Sequence, residues 1–248
     1  MPKINKDSTL NITFVGIGLC LLCSAIISFI AIQLRSVQEN NVVLDMQKKI
    51  VSSAGLDEVY GSVENAMSNI KTLIIDLDRG EIVDINPDTY ELSKELREDG
   101  KYKFLSAEED VASIKKREKY SKVYIEYKNN EINTLILPVR GYGLWGILYG
   151  YLAIEGDFNT VAGLEFYEHK ETPGLGAEID NPKWKALWKG KKIYQENGEV
   201  SLKVIKGSVM KTSDNFSYEI DGLSGATLTC NGVTNLIAYW MGNDGFLN

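Results

Sequence analysis

The stretch DGLSGATLTCNGV, residues 221–233, with Thr234 behind it, gathers four hydroxyl side chains: Ser224, Thr227, Thr229 and Thr234. Just after it, Val233, Leu236, Ile237, Trp240 and Met241 fall at i, i+3, i+4, i+7, i+8, the spacing of a half-buried helix. Thr227 therefore stands near a helix N-terminus. Two chemistries suit that place. A threonine can cap the helix, accepting a bond from an orphan backbone N–H. Alternatively, the unpaired N–H groups and the helix dipole can seat an anion such as phosphate. An unassisted threonine hydroxyl is a poor nucleophile, and no activating base lies nearby in sequence. His169, the only histidine, is far off. Covalent chemistry at Thr227 would need an external enzyme.

Two further glycine-rich stretches share the pattern of small backbone beside a large apolar side chain. They are RGYGLWG, 140–146, with Leu144 and Trp145, and ETPGLG, 171–176, with Leu175. Each is compatible with a tight turn between strands. All of them in one chain favour a pocket for a flat ligand, because glycine lets the main chain come close to a ring or a phosphate. Other chemistries are excluded by what is missing. There is no G-x-S-x-G elbow, no G-x-G-x-x-G, no P-loop and no cluster of His and Cys for a metal. A catalyst acting alone is not expected; a bound cofactor or a binding surface is.

The elements that must position these loops read as α+β with a largely antiparallel sheet, since strands mostly follow strands through short turns. An amphipathic helix is expected over about 36–53, ending at Gly55, and a short helix near 63–70. TLIIDLDRGEIVDI reads as a hairpin around Asp78-Arg79-Gly80, and Asn86-Pro87-Asp88 as a break. Ser106 and Glu109 form a capping-box pattern that predicts a helix to about Lys119. KVYIEYK (with Val123, Ile125 and Tyr127 on one face), INTLILPV, Ile147 to Ile154 and TVAGLEFYEH are strands. Asn181-Pro182 opens a short helix with Trp184, Leu187 and Trp188; VSLKVIK and FSYEI are the last strands before the closing helix.

The chain has 248 residues and a net charge of −7, which argues against a nucleic-acid partner. From Ser8 to Leu34 there is no charge over 27 residues. At about 1.5 Å per residue that run reaches roughly 40 Å, longer than a ~30 Å hydrocarbon core. It exceeds the apolar region of a cleaved signal peptide, and Leu19 and Leu22 stand where a lipoprotein signal needs a small residue. It reads as an uncleaved transmembrane anchor in a segment of residues 1–35, followed by a domain over 36–248. Lys3 and Lys6 favour a cytoplasmic N-terminus and an extracytoplasmic domain. The run lacks ionisable groups for an ion path. Cys20 and Cys23 read as small apolar residues of the span, and Cys230 is alone in the remainder.

DGLSGAT, 221–227, resembles the D-x-x-[ST]-G-A-T flavinylation signal of the FMN-binding domain family. The match gives Asp221, Ser224, Gly225, Ala226 and Thr227, and implies FMN in phosphoester linkage to Thr227. HKETPGLG and GYGLWG also resemble that family. With ETPGLGAEIDNPKWKALWKGKKI and the anchor, they are similar to the C-subunit family of the Na⁺-translocating NADH:quinone reductase. The resemblance implies a six-subunit, inner-membrane, Na⁺-pumping complex in which a covalent flavin relays electrons from NADH toward quinone. It also implies sodium coupling in partner subunits and maturation by a Mg²⁺-dependent flavin transferase that draws on FAD. By the same resemblance the flavin contacts fall on Leu144, Trp145, Glu171, Thr172, Gly174 and Leu175. Two alternatives stay open here: the G-subunit family of the Rnf ferredoxin:NAD⁺ electron-transport complex, and an anchored extracytoplasmic binding or sensor module.

Overall fold

The structure, a computed structural model, describes residues 8–246. Lys3 and Lys6, on which the expected orientation rests, lie outside the described residues. The chain divides into two compact units, Met1–Asp45 and Met46–Asn248. One helix, α1 (Thr9–Ser53), runs through both, so the boundary expected at 35/36 falls inside a continuous helix. It merges the apolar run with the amphipathic segment, since neither Gly nor Pro interrupts residues 19–54. This helix is long and apolar enough to cross a membrane: an 18-residue window has mean hydropathy 2.6 and is 0% buried.

The second unit is built on a six-stranded sheet in the order β2-β1-β5-β6-β7-β8, every pair antiparallel. In chain order, α2 (Leu56–Tyr60) and α3 (Val63–Ser68) precede β1 (Ile70–Asp76) and β2 (Glu81–Val83), the expected hairpin. A short α4 (Leu92–Glu95) leads to a small side ribbon, β3 (Tyr102–Phe104) with β4 (Lys116–Glu118). The long strands follow: β5 (Tyr120–Lys128), β6 (Glu131–Tyr142), β7 (Ile147–Glu155) and β8 (Val161–Glu168). Then come α5 (Pro182–Lys185), the two-residue strands β9 (Lys203–Val204) and β10 (Glu219–Ile220), and α6 (Thr227–Trp240).

Both faces of the sheet are covered. Ile50 and Val51 of α1, Leu56 and Ala66 pack with Ile70, Tyr124, Ile136 and Tyr151 on one face. Val233, Leu236, Ile237 and Trp240 of α6 pack with Leu137, Val139, Leu148 and Leu152 on the other. Central strands buried on both faces lose their alternation, which is why Tyr124 is buried as well as Val123 and Ile125. Tyr127, expected on their face, is exposed beyond a bulge at Glu126/Tyr127. The approach of α6 is unusually close. A Cβ at Gly141 would lie 2.8 Å from Leu236 Cβ, and one at Gly232 would strike Tyr142 O. Backbone-to-helix packing of this kind holds the middle of α6, at Gly232 and Leu236, against the end of β6 at Gly141–Gly143.

Three expectations are corrected. The capping box at Ser106 and Glu109 forms, with Ser106 N–H to Glu109 Oε2 at 2.9 Å and Glu109 N–H to Ser106 Oγ at 3.3 Å. No helix follows it. Asp110 draws in the N–H groups of Ile114 and Lys115, Ser113 and Lys115 take positive φ (54° and 65°), and Lys116–Glu118 pairs as a strand. A capping box closes one turn; propagation needs an apolar stripe, and residues 115–119, KKREK, are all charged. A hydrogen bond from Lys103, then those from Ser106, hold Glu109 down at about 2. VSLKVIK and FSYEI reduce to two paired residues each, running parallel, with Phe216–Tyr218 in a 3-10 turn.

Candidate functional site

The turn over 221–226 is set by three contacts that involve no hydroxyl. Trp184 Nε1 donates to Asp221 O at 2.8 Å, Asp221 Oδ1 accepts from Val209 N–H at 2.7 Å, and Cys230 Sγ accepts from Leu223 N–H at 3.3 Å. Burial raises the Cys230 thiol above its ordinary pKa, so it acts here as a neutral acceptor. Gly225 has φ +74°, and a Cβ there would lie 2.9 Å from Leu175 Cδ2. Glycine is needed both for the left-handed turn and for contact with the 171–176 loop. Thr227 then opens α6 as its first residue. It is exposed, and its hydroxyl has no hydrogen-bond partner among the described residues.

The helix start itself is uncapped. Ala226 holds the cap position without a side-chain bond, and the first intrahelical bond runs from Cys230 N–H to Ala226 O at 3.0 Å. The N–H groups of Thr227, Leu228 and Thr229 precede it and take no backbone carbonyl. The threonine cap that the sequence allowed is therefore absent. Thr229 is 0% exposed and its hydroxyl turns away to donate to Glu171 Oε2 at 2.5 Å. Thr234 is also committed: its Oγ1 accepts from Val204 N–H at 3.0 Å and bonds to Cys230 O at 3.1 Å. Ser224 is exposed and makes no bond among the described residues.

Glu171, 5% exposed, joins all three glycine-rich stretches. Its Oε1 accepts from Leu144 N–H at 2.9 Å and Trp145 N–H at 3.0 Å, while Oε2 accepts from Thr229. Gly143 and Gly176 leave room for it: a Cβ at either would lie 2.6 or 2.5 Å from a carboxylate oxygen. Its own N–H donates to His169 Nδ1 at 3.2 Å, and His169 Nε2 bonds Asp180 Oδ2 at 2.8 Å. Around this junction stand exposed apolar side chains: Leu144, Trp145 (62%), Leu175 (45%) and Leu228 (58%). Thr172 O accepts from Leu175 N–H at 3.1 Å and Gly174 turns the loop with φ +75°. The arrangement offers exposed apolar side chains in the same loops and helix turn as a free hydroxyl and unfilled helix N–H groups. That is the donor and surface set a ring bearing a phosphate requires.

The structure thus brings the stretches 140–146, 171–176 and 221–227 together. Sequence reasoning missed Leu228, Thr229, Cys230 and Trp184 as parts of the site. Leu228 could have been found, because it is a large apolar residue lying off the buried stripe of α6. The side-chain partners of Thr229, Cys230 and Trp184 had no local signal.

Residues 143–242 match the FMN-binding domain family. The match places an FMN-binding domain over residues 143–242, within the second unit. The C subunit of the Na(+)-translocating NADH-quinone reductase of Pseudomonas aeruginosa is 46% identical over 247 residues, spanning 98% of this chain and 95% of the relative. The same subunit of Vibrio anguillarum is 41% identical over 242 residues, spanning 98% and 94%. The crystal structure of Shewanella oneidensis NqrC superposes with a TM-score of 0.73 at 30% identity, covering 81% of this chain and 92% of that one. That of the C subunit from Parabacteroides distasonis gives 0.62 at 29%, covering 87% and 97%. The chain belongs to the C-subunit family of the Na(+)-translocating NADH-quinone reductase.

Proposed function

We propose that this chain is the membrane-anchored electron carrier of a Na⁺-pumping NADH:quinone reductase, with FMN joined through its phosphate to Thr227 Oγ. The observation that carries the reading is the Thr227 hydroxyl: exposed, without a partner among the described residues, at the first position of an uncapped helix, and two residues from the Gly225 turn that meets Leu175 of the 171–176 loop. Asp221, Ser224, Gly225 and Ala226 complete the flavinylation motif. Asp221 fixes the loop below the acceptor, and Gly225 turns it onto Leu175. Leu144, Trp145, Thr172, Gly174 and Leu175 border the ring.

FMN held there supplies a centre that accepts and releases electrons, and the protein's share is to bind and orient it. The orphan N–H groups of Leu228 and Thr229 favour the phosphate's charge. No base stands at the Thr227 hydroxyl among the described residues, which accords with attachment by a separate flavin transferase. In that transfer the Thr227 oxygen bonds to the FMN phosphorus of FAD, the pyrophosphate breaks and AMP leaves. The Ser8–Leu34 run anchors the chain in the inner membrane with its N-terminus cytoplasmic and residues 36–248 outside. Electrons pass from NADH toward quinone among the six subunits, and sodium moves through partner subunits.

The test is direct. Full-length protein co-expressed with a flavin transferase will fluoresce as a flavin on a denaturing gel, and Thr227→Val will abolish the band. Persistent fluorescence in Thr227→Val would refute the attachment site. A colourless wild-type protein would instead favour an anchored binding module.

A further inference from the structure

We propose that Glu171 is a positioning residue for the flavin, one that works through its three hydrogen bonds and not through its negative charge. The inference rests on the functional reading above. A carboxylate beside a redox centre suggests an electrostatic role, yet the geometry commits this one elsewhere. Both oxygens face protein donors: Oε1 two backbone N–H groups, Oε2 the Thr229 hydroxyl. The side chain is 5% exposed and is wedged between Gly143 and Gly176, with 2.6 and 2.5 Å to the Cβ that either could carry. Its backbone is held from behind by His169, itself tied to Asp180.

What Glu171 controls is the backbone of Leu144 and Trp145, whose side chains are exposed on the ring-facing surface, and the first turn of α6, where Thr227 begins. One residue thus sets both walls of the site and the root of the tether. A glutamine has the same shape. Its amide oxygen can accept both N–H groups, and its NH₂ can donate to Thr229 Oγ1, which turns from donor to acceptor. Glutamine therefore removes the charge and keeps the junction; alanine removes both.

The experiment uses full-length protein co-expressed with a flavin transferase, in detergent. It reads amide hydrogen exchange over residues 143–146 and the visible circular dichroism of the flavin. In Glu171→Ala the Leu144 and Trp145 amides should exchange at least ~10-fold faster, as expected when the acceptor of both hydrogen bonds is removed. The flavin dichroism should fall toward that of free FMN. In Glu171→Gln both should stay at wild-type levels. Thr229→Val, which removes only the third bond, should give an intermediate loss of dichroism and decides the matter should Glu171→Ala fail to fold. A glutamine variant that behaves like the alanine one would overturn the proposal in favour of charge. So would an alanine variant indistinguishable from wild type, or a Thr229→Val variant without effect. A colourless wild-type protein would sink the functional reading, and the exchange measurement would still decide whether Glu171 holds the loops.

Discussion

Two glycines in the 171–176 loop can be told apart by why they must be glycine. Gly174 has φ +75° and nothing within 4 Å of its missing Cβ. Gly176 has no positive φ, but its Cβ would lie 2.5 Å from Glu171 Oε2 and 2.6 Å from Thr229 Oγ1. Gly174→Ala then carries only the left-handed penalty, about 1 kcal/mol. Gly176→Ala must spread a buried pair that is now 2.5 Å apart. Overpacking costs about 2 kcal/mol, and loss of a bond to a charged group about 2 kcal/mol more. At roughly 2–4 °C per kcal/mol for a domain of this size, the expected falls in Tm are about 3 °C for Gly174→Ala and about 12 °C for Gly176→Ala. Trp145, Trp184, Trp188 and Trp240, the only tryptophans, all lie after residue 45, so their fluorescence in the detergent-solubilised chain follows the second unit alone. Within Glu171→Ala, Gly176→Ala should lose part of its effect, because one of the two oxygens it strikes is gone and the other, Thr229 Oγ1, is no longer pinned by the carboxylate. Equal shifts for the two glycines, or full additivity with Glu171→Ala, would refute the packing argument.

Two further outcomes are expected. Leu175→Asp should keep the covalent flavin on a denaturing gel while lowering its midpoint potential by about 60 mV per electron, the equivalent of about 1.4 kcal/mol from a carboxylate near the ring; an unchanged potential would place the ring elsewhere. Cys230, buried and with a raised pKa, should be alkylated by iodoacetamide at least ~100-fold more slowly in native protein than in denaturant, and equal rates would show the acceptor turn to be open.

How far the sequence carried depends on the range of the interaction involved. The long strands and α6 were legible because their patterns are local and periodic: Val233, Leu236, Ile237 and Trp240 are all buried as spaced. The hairpin at 78–80 was legible from its turn residues. The helix expected after Ser106 failed for the complementary reason. Its start signal is complete within four residues, but Asp110 and two left-handed residues redirect the chain before a second turn. The short pairing of β9 with β10 is held by Thr234 on α6, 30 residues away, and leaves no imprint on the local pattern. At the site, the three glycine stretches could be grouped into one pocket from their shared pattern and the family resemblance, yet no local signal gave the contacts that join them. The Thr229–Glu171 bond spans 58 residues and is the kind of contact that only the fold supplies.

That bond also changes how the cluster of hydroxyls is understood. Of four hydroxyls in one stretch, the sequence motif singled out Thr227. The fold divides them by what each oxygen already does. Thr229 is committed to Glu171 and fully buried; Thr234 is committed to Val204 and Cys230. Ser224 and Thr227 are free among the described residues, but Ser224 precedes Gly225 in the turn, while Thr227 stands on the helix with the orphan N–H groups beside it. A phosphate on Thr227 gains those donors, and the missing cap leaves no side chain that must first be displaced. Under the proposed attachment, the uncapped start of α6, a fault in an ordinary helix, is the feature that sets Thr227 apart from the other three hydroxyls.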